Sequence, residues 1–365
     1  MSPNIANGLK KLRQSLVEKE LNGILISQPD NRYYLSGFDG SAGYLLITPQ
    51  DKVLATDFRY LEQVKVQAPD YRIFQITNNI SDWLPRLLAG TDLGKFQYNR
   101  GKLGFEAGHV SFSMYQQLSD ILSKAESHIK LVPTSELVES LRMIKEPEEI
   151  KLITQATEIT DRAFAYIKDT IHTGMNEKEV AWELEKFLRQ NGSETMPFEI
   201  IVASGPNSAL PHAKPSQRQI NDGEPILIDL GARFEGYSGD LSRTICLGTP
   251  DDTFNKVYDT VLGAQLAAIA IIKEGMSGEE ADGLARTIIE EAGFGEAFGH
   301  SLGHGVGLAA HEQPRIGPKS TDILTSGMAF SIEPGIYLAG WGGVRIEDLI
   351  TIDNNEIRVL SKAPK

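Results

Sequence analysis

Four acidic residues sit where acids are costly. Asp229 ends the apolar run ProIleLeuIleAspLeuGly, and Asp240 opens GlyAspLeuSerArgThr after a stretch rich in turn residues. Glu333 in PheSerIleGluProGlyIleTyr and Glu347 in GlyGlyValArgIleGluAspLeuIle repeat that arrangement further along the chain. A carboxylate within an apolar strand is unfavourable unless it is paired or holds a metal. Four converging carboxylates would repel one another and take up protons, whereas two divalent cations would balance them. Between the pairs lies GlyHisSerLeuGlyHisGlyValGlyLeuAlaAlaHisGlu, carrying His300, His304 and His311. Oxygen-rich ligation with one or two imidazoles suits manganese or cobalt, with zinc or iron as alternatives. Two such cations generate a hydroxide nucleophile and polarise a carbonyl, while spare imidazoles donate to a developing oxyanion or move protons.

Competing chemistries are weaker. The only cysteine, Cys246, excludes thiolate ligation and an internal disulfide; its apolar surroundings read as core. His300 and His304 are four residues apart, but Gly303, Gly305 and Gly307 make a helix costly there. An extended strand fits better, with one face left bare for a ligand or another backbone. No Gly-Lys-Ser/Thr follows these glycines, which argues against a phosphate loop.

The elements that must position these residues fall into two domains, 1–133 and 134–365, with the change of character at about 134–145. The first reads as mixed α/β: Leu9, Leu12 and Leu16 share a helical face, and residues 23–27 and 53–57 read as strands. A helix is expected from a cap at Thr134 or Ser135, and another from Pro147. Residues 174–192 and 275–293 both run from Gly-Met through an amphipathic helix to a glycine, with Val180, Leu184, Phe187 and Leu188 on one face and Ala281, Leu284 and Ile288 on the other. Each precedes strands bearing two acids across a turn, which reads as a duplicated half-domain.

A net charge of −13 argues against nucleic acid and anionic membrane as partners. No run of 18 apolar residues and no leader-like apolar segment occurs, so a cytoplasmic protein is expected.

The motif set closely resembles the pita-bread metallopeptidases, above all Xaa-Pro aminopeptidases and Xaa-Pro dipeptidases (prolidases). By that resemblance Asp229, Asp240, His304, Glu333 and Glu347 hold two divalent metal ions, manganese first, with cobalt or zinc as alternatives. His212 in AlaLeuProHisAla and His311 would position substrate and stabilise the tetrahedral intermediate. His300 would help form the proline-side pocket, and Arg345 would orient substrate or brace the metal site. TyrTyrLeuSerGlyPheAspGlySerAlaGly and AspPheArgTyr resemble the creatinase-type amino-terminal domain, which methionine aminopeptidases lack and which implies a homodimer. The implied fold is α+β: an N-terminal creatinase-type α/β domain, then a pita-bread domain with internal pseudo-two-fold duplication.

The implied activity is hydrolysis, by a metal-bridging hydroxide, of the bond between an N-terminal residue and a following proline in short peptides. The Xaa-Pro aminopeptidase form is expected from residues 37–43, with the dipeptidase as alternative. A catalytically silent pita-bread binding protein is the reading from another class. Proline's amide has no N–H and its ring fixes φ, so such an enzyme needs a dedicated pocket.

Overall fold

The computed structural model describes residues 5–97 and 100–365. Its chain forms two compact units, Ser2–Arg142 and Met143–Lys365.

The first unit is built on a six-stranded sheet. Its order is Arg72–Gln75, Lys52–Thr56, Tyr44–Ile47, Gly23–Ile26, Gly101–Glu106 and Ile129–Thr134. Only Tyr44–Ile47 runs antiparallel to its neighbours. Leu9, Leu12 and Leu16 are buried on the helix Ile5–Glu18, as their spacing predicts. The helix expected from Thr134 is different. Thr134 instead ends the last strand opposite Glu106, and only Glu139–Met143 is helical. The β-rich run IleLysLeuValProThr finds a ladder partner there, which outweighs its capping signal.

The second unit shows the duplication directly. Helices Pro147–Thr170 and Glu177–Gln190 pack on a three-stranded sheet, with Pro225–Leu230 between Ile201–Ser204 and Leu241–Cys246. Helices Asp252–Ile271 and Gly278–Glu291 pack in the same way on a sheet centred on Ala329–Ile332. Pro147 takes the first helical position, behind a capping box between Glu146 and Glu149. The matching turns make matching bonds. Gly174 N donates to Ile220 O and Ile220 N to Met175 O, while Gly275 N donates to Leu324 O and Leu324 N to Met276 O. Capping boxes Asn176/Glu179 and Ser277/Glu280 start the second helix of each half. Two half-cores follow, one around Phe164, Leu184 and Ile228, the other around Ala285, Phe330 and Ile350.

Val180, Leu184 and Leu188 are buried as expected. On the partner helix the buried stripe is Ala281, Ala285 and Ile289, leaving Leu284 and Ile288 half-buried. Asp282 turns that helix: its buried carboxylate binds Arg286 and accepts Leu302 N at 3.0 Å, so it must face inward. Cys246 is half-buried at a strand end rather than in a core. No helix among the described residues is long and apolar enough to cross a membrane.

Candidate metal centre

The two sheets carry the acids in matching places. Asp229 lies in the strand Pro225–Leu230, opposite Ile201 on one side and Ser242 on the other. Asp240 immediately precedes the strand Leu241–Cys246. In the second half, Glu333 follows Ala329–Ile332 and Glu347 precedes Asp348–Asp353. A two-stranded ribbon joins each pair of acids: Arg233–Phe234 with Tyr237–Ser238, and Gly335–Leu338 with Gly342–Arg345. The expected hairpin between Asp229 and Asp240 is therefore present.

His304 occupies the middle of the short strand Gly303–Gly305. The bare face of that strand meets backbone: a Cβ on Gly303 would overlap Ser331 O, and one on Gly305 would overlap Gln313 O. This close approach brings His304 in among the acids. Asp240, His304 and Glu347 each place one donor atom within 4.8 Å of the others. His304 Nε2 lies 3.1 Å from Glu333 Oε1 and 3.8 Å from Asp240 Oδ2. Its Nδ1 lies 3.1 Å from Gly305 O, an acceptor only, so Nδ1 carries a proton and Nε2 is directed at the carboxylates.

Two serines hold the glutamates. Ser242 Oγ donates to Glu347 Oε2 at 2.8 Å, and Ser331 Oγ donates to Glu333 Oε1 at 2.9 Å. Arg345 Nη2 donates to Asp229 Oδ2 at 2.6 Å. The opposite oxygens, Asp229 Oδ1 and Glu347 Oε1, are buried without a hydrogen-bond partner among the described residues. Buried carboxylate oxygens are seldom left in this state. Hard divalent cations ligated by oxygen and one imidazole fit this donor set.

Electrostatics agree. Burial, then the neighbouring acids Glu347 and Asp229, push Asp240 well above the usual carboxylate range. Burial, then Glu333 and Asp229, do the same to Glu347. Burial also raises Asp229, partly offset by Arg345. Burial acts against the charge on Glu333, but its hydrogen bond and charge contact with His304 prevail and hold it down to about 2. His304 is likewise disfavoured as a cation by burial, yet Glu333 and Glu347 lift it to about 9. A cluster that must keep protons to relieve its own repulsion is ready to exchange them for cations.

The centre opens into a cavity of about 600 Å³. Beside the acids and histidines, its lining includes Phe198, Glu199, Ile201, Pro211, Ser301 and Arg315. His212 and His311 are exposed, with the His311 ring 4.2 Å from that of His304. Burial and the His304 charge lower His311. His300 is partly buried and lowered by desolvation. Its Nδ1 donates to Ser301 O at 2.8 Å, so Nε2 accepts from the Tyr337 hydroxyl at 2.9 Å. That hydroxyl in turn accepts from Arg345 Nη1 at 2.8 Å. All nine residues singled out from sequence therefore line this one cavity. Tyr337, Ser242, Ser331 and Arg315 were not singled out. Only Arg315 carried a legible signal, as a cation four residues beyond His311. His109, His128 and His172 are exposed and lie apart from the cavity.

Comparison with known proteins agrees with this architecture. Residues 151–354 match the model of metallopeptidase family M24, and residues 9–144 match the creatinase/prolidase N-terminal domain. An uncharacterized peptidase of Bacillus subtilis, YqhT, is 40% identical, with 98% of each chain covered. The structure of a Xaa-Pro dipeptidase from Bacillus anthracis is similar at TM-score 0.92 and 42% identity, over 99% of both chains. That of an X-Pro aminopeptidase from Thermotoga maritima is similar at TM-score 0.85 and 35% identity, over 95% of this chain and 97% of the other. With its pita-bread fold, its acid-lined centre and both domain matches, the chain belongs to metallopeptidase family M24 and is a metal-dependent peptidase.

Proposed function

We propose that the protein is a Xaa-Pro exopeptidase whose preferred substrates are Xaa-Pro dipeptides. The observation that carries the hydrolytic reading is that Asp240, His304 and Glu347 place donor atoms within 4.8 Å of one another, while Asp229 Oδ1 and Glu347 Oε1 are buried without a hydrogen-bond partner among the described residues. Asp229, Asp240, His304, Glu333 and Glu347 would hold two divalent cations, manganese ahead of cobalt or zinc. When bound, these supply a nucleophile at neutral pH and polarise the scissile carbonyl.

The chain's own residues do the rest. Arg345 fixes Asp229 through one oxygen and leaves the other directed at the centre. Ser242 and Ser331 hold Glu347 and Glu333 in single orientations. His212 and His311 both line the cavity and would donate to the developing oxyanion. His300, neutral and fixed by Ser301 and Tyr337, presents a flat ring to the prolyl side.

Dipeptide preference is supported by Arg315. A dipeptide presents a carboxylate directly after proline, and the Arg315 guanidinium stands on the cavity wall next to Ser301, with Nε 3.2 Å from Ser301 Oγ. The similarity to Xaa-Pro dipeptidases supports the same form. The aminopeptidase form is favoured by residues 37–43 and by the likeness to the Thermotoga enzyme. Metal-stripped protein titrated with manganese or cobalt should release proline from Xaa-Pro, and more slowly cleave Xaa-Pro-Xaa, with Asp240→Ala inactive on both. Faster tripeptide cleavage would favour the aminopeptidase; no turnover by folded, metal-loaded protein would overturn the peptidase reading.

A further inference from the structure

His311 is exposed at the end of a largely buried bend, 306–310, and its ring lies 4.2 Å from that of His304. The bend is tied upstream of His311: Val306 N donates to Ala329 O and Gly307 N to Ala309 O, while Gly307 O and Leu308 O accept from Ser238 N and Arg233 Nη2. Pairing beyond it is irregular. His304 faces Arg315, but Gly305 faces Glu312, so the register shifts next to the two imidazoles. Such a bulge leaves an extra residue outside the ladder pairing, so other contacts set how the side chains beside it are aimed.

Glu312 supplies the fixing point. Its Oε1 lies 2.7 Å from Lys145 Nζ, and the two side chains are 7% and 1% exposed. The Lys145 backbone N–H donates to Gly327 O at 2.8 Å, which anchors the cation on the second sheet. The bend passes close over the carboxylate: a Cβ on Gly307 would meet Glu312 Oε1 and displace it from its present position. An ion pair this dry gains little stability over an apolar pair of similar size, so its retention calls for another role.

We propose that the buried Lys145–Glu312 ion pair is a positioning device that holds His311 over His304 at the catalytic cavity. Glu312 is not among the residues that line the cavity and would act through its neighbour in sequence. The inference rests on the reading of His311 as a substrate-facing group.

The test is a cycle of variants with two readouts. Lys145→Met/Glu312→Leu removes both charges at similar volume and avoids stranding either one. Its kcat on a Xaa-Pro dipeptide should fall about a hundredfold. KM should change less than about threefold, because Arg315 and His300 are untouched. His311→Ala should cost about a hundredfold in the natural chain. In the double variant it should cost under about threefold more. The second readout needs no turnover: in metal-free protein, the nuclear Overhauser contact between the His304 and His311 rings should vanish in the double variant. Should that variant not fold, Lys145→Leu/Glu312→Met also removes both charges without stranding either and is read identically.

Additive losses, or an intact ring contact, would overturn the proposal. If the natural protein has no Xaa-Pro activity but the ring contact still depends on the pair, the functional reading fails and the positioning role stands.

Discussion

Arg345 Nη2 and Asp229 Oδ2 are 2.6 Å apart, and this bond decides which oxygen of Asp229 is free. Three more bonds hold the guanidinium: Nε donates to Ser242 Oγ at 2.8 Å, and Nη1 reaches Pro211 O at 3.2 Å and Tyr337 Oη at 2.8 Å. Arg345→Lys keeps a charge but cannot reproduce this fork. It should lower kcat/KM about a hundredfold. Arg345→Leu should also cost about 3–5 kcal/mol of stability, because it strands a buried carboxylate. Steady-state kinetics and urea denaturation read the two effects separately; near-natural kcat/KM in Arg345→Lys would refute the bracing role.

Tyr337 couples Arg345 to His300 through one hydroxyl. Tyr337→Phe leaves His300 Nε2 without its donor and Arg345 Nη1 with Pro211 O alone. A buried group stripped of its partner costs about 1–3 kcal/mol, so kcat/KM should drop on the order of tenfold. Unchanged kinetics on Xaa-Pro substrates would show that the relay has no part in turnover.

In metal-free protein, stability should decline between pH 6.5 and 9. His304 rises from 6.5 to about 9 on folding, so its contribution is complete below 6.5 and is lost as pH climbs through 9. Asp240 and Glu347 are also raised, so their contribution is present at acid pH and likewise lost as pH rises through their folded values. Glu333 runs the other way: lowered from 4.5 to about 2, it contributes above 4.5 and fails only in strong acid. Tm of the chelator-treated protein should therefore fall on the order of 5 °C across pH 6.5–9. Manganese should flatten the profile, and so should His304→Gln. A level profile in chelator would contradict the assigned proton balance.

On the proposed dipeptidase reading, Arg315 would distinguish the two substrate forms. Arg315→Leu should raise KM for a Xaa-Pro dipeptide about 10- to 100-fold, the loss of one charge-assisted bond. It should change a Xaa-Pro-Xaa amide little. Equal effects on both substrates would remove Arg315 as the carboxylate anchor.

What was legible in the sequence was what carries a penalty when isolated. Asp229 and Glu347 stand out because a charge in an apolar strand is costly wherever the chain goes. The glycines around His304 stand out because they bar a helix. Ser242, Ser331 and Tyr337 are unremarkable in their local runs, and their roles come from partners up to 105 residues away. Lys145 and Glu312 are 167 residues apart and form a pair only once the fold exists. The helix expected from Thr134 failed for the same reason: the partner that draws the segment into a ladder is Glu106 and its strand, not anything nearby. Asp282 shows the limit of periodicity, since a polar residue bonded to Leu302 and Arg286 took the inward position that apolar spacing gave to Leu284.

A scaffold built twice would offer a cation two equivalent seats, and this one does not. The first half brings two aspartates; the second brings two glutamates, one methylene longer, and the imidazole that lies among the acids, His304. Arg345 lies on the second half yet neutralises an acid of the first. In a two-cation centre these differences break the symmetry of the ancestral pair, so loading becomes ordered rather than statistical. Half-loaded protein would then be a single species with its own spectrum, in place of an equal mixture of two.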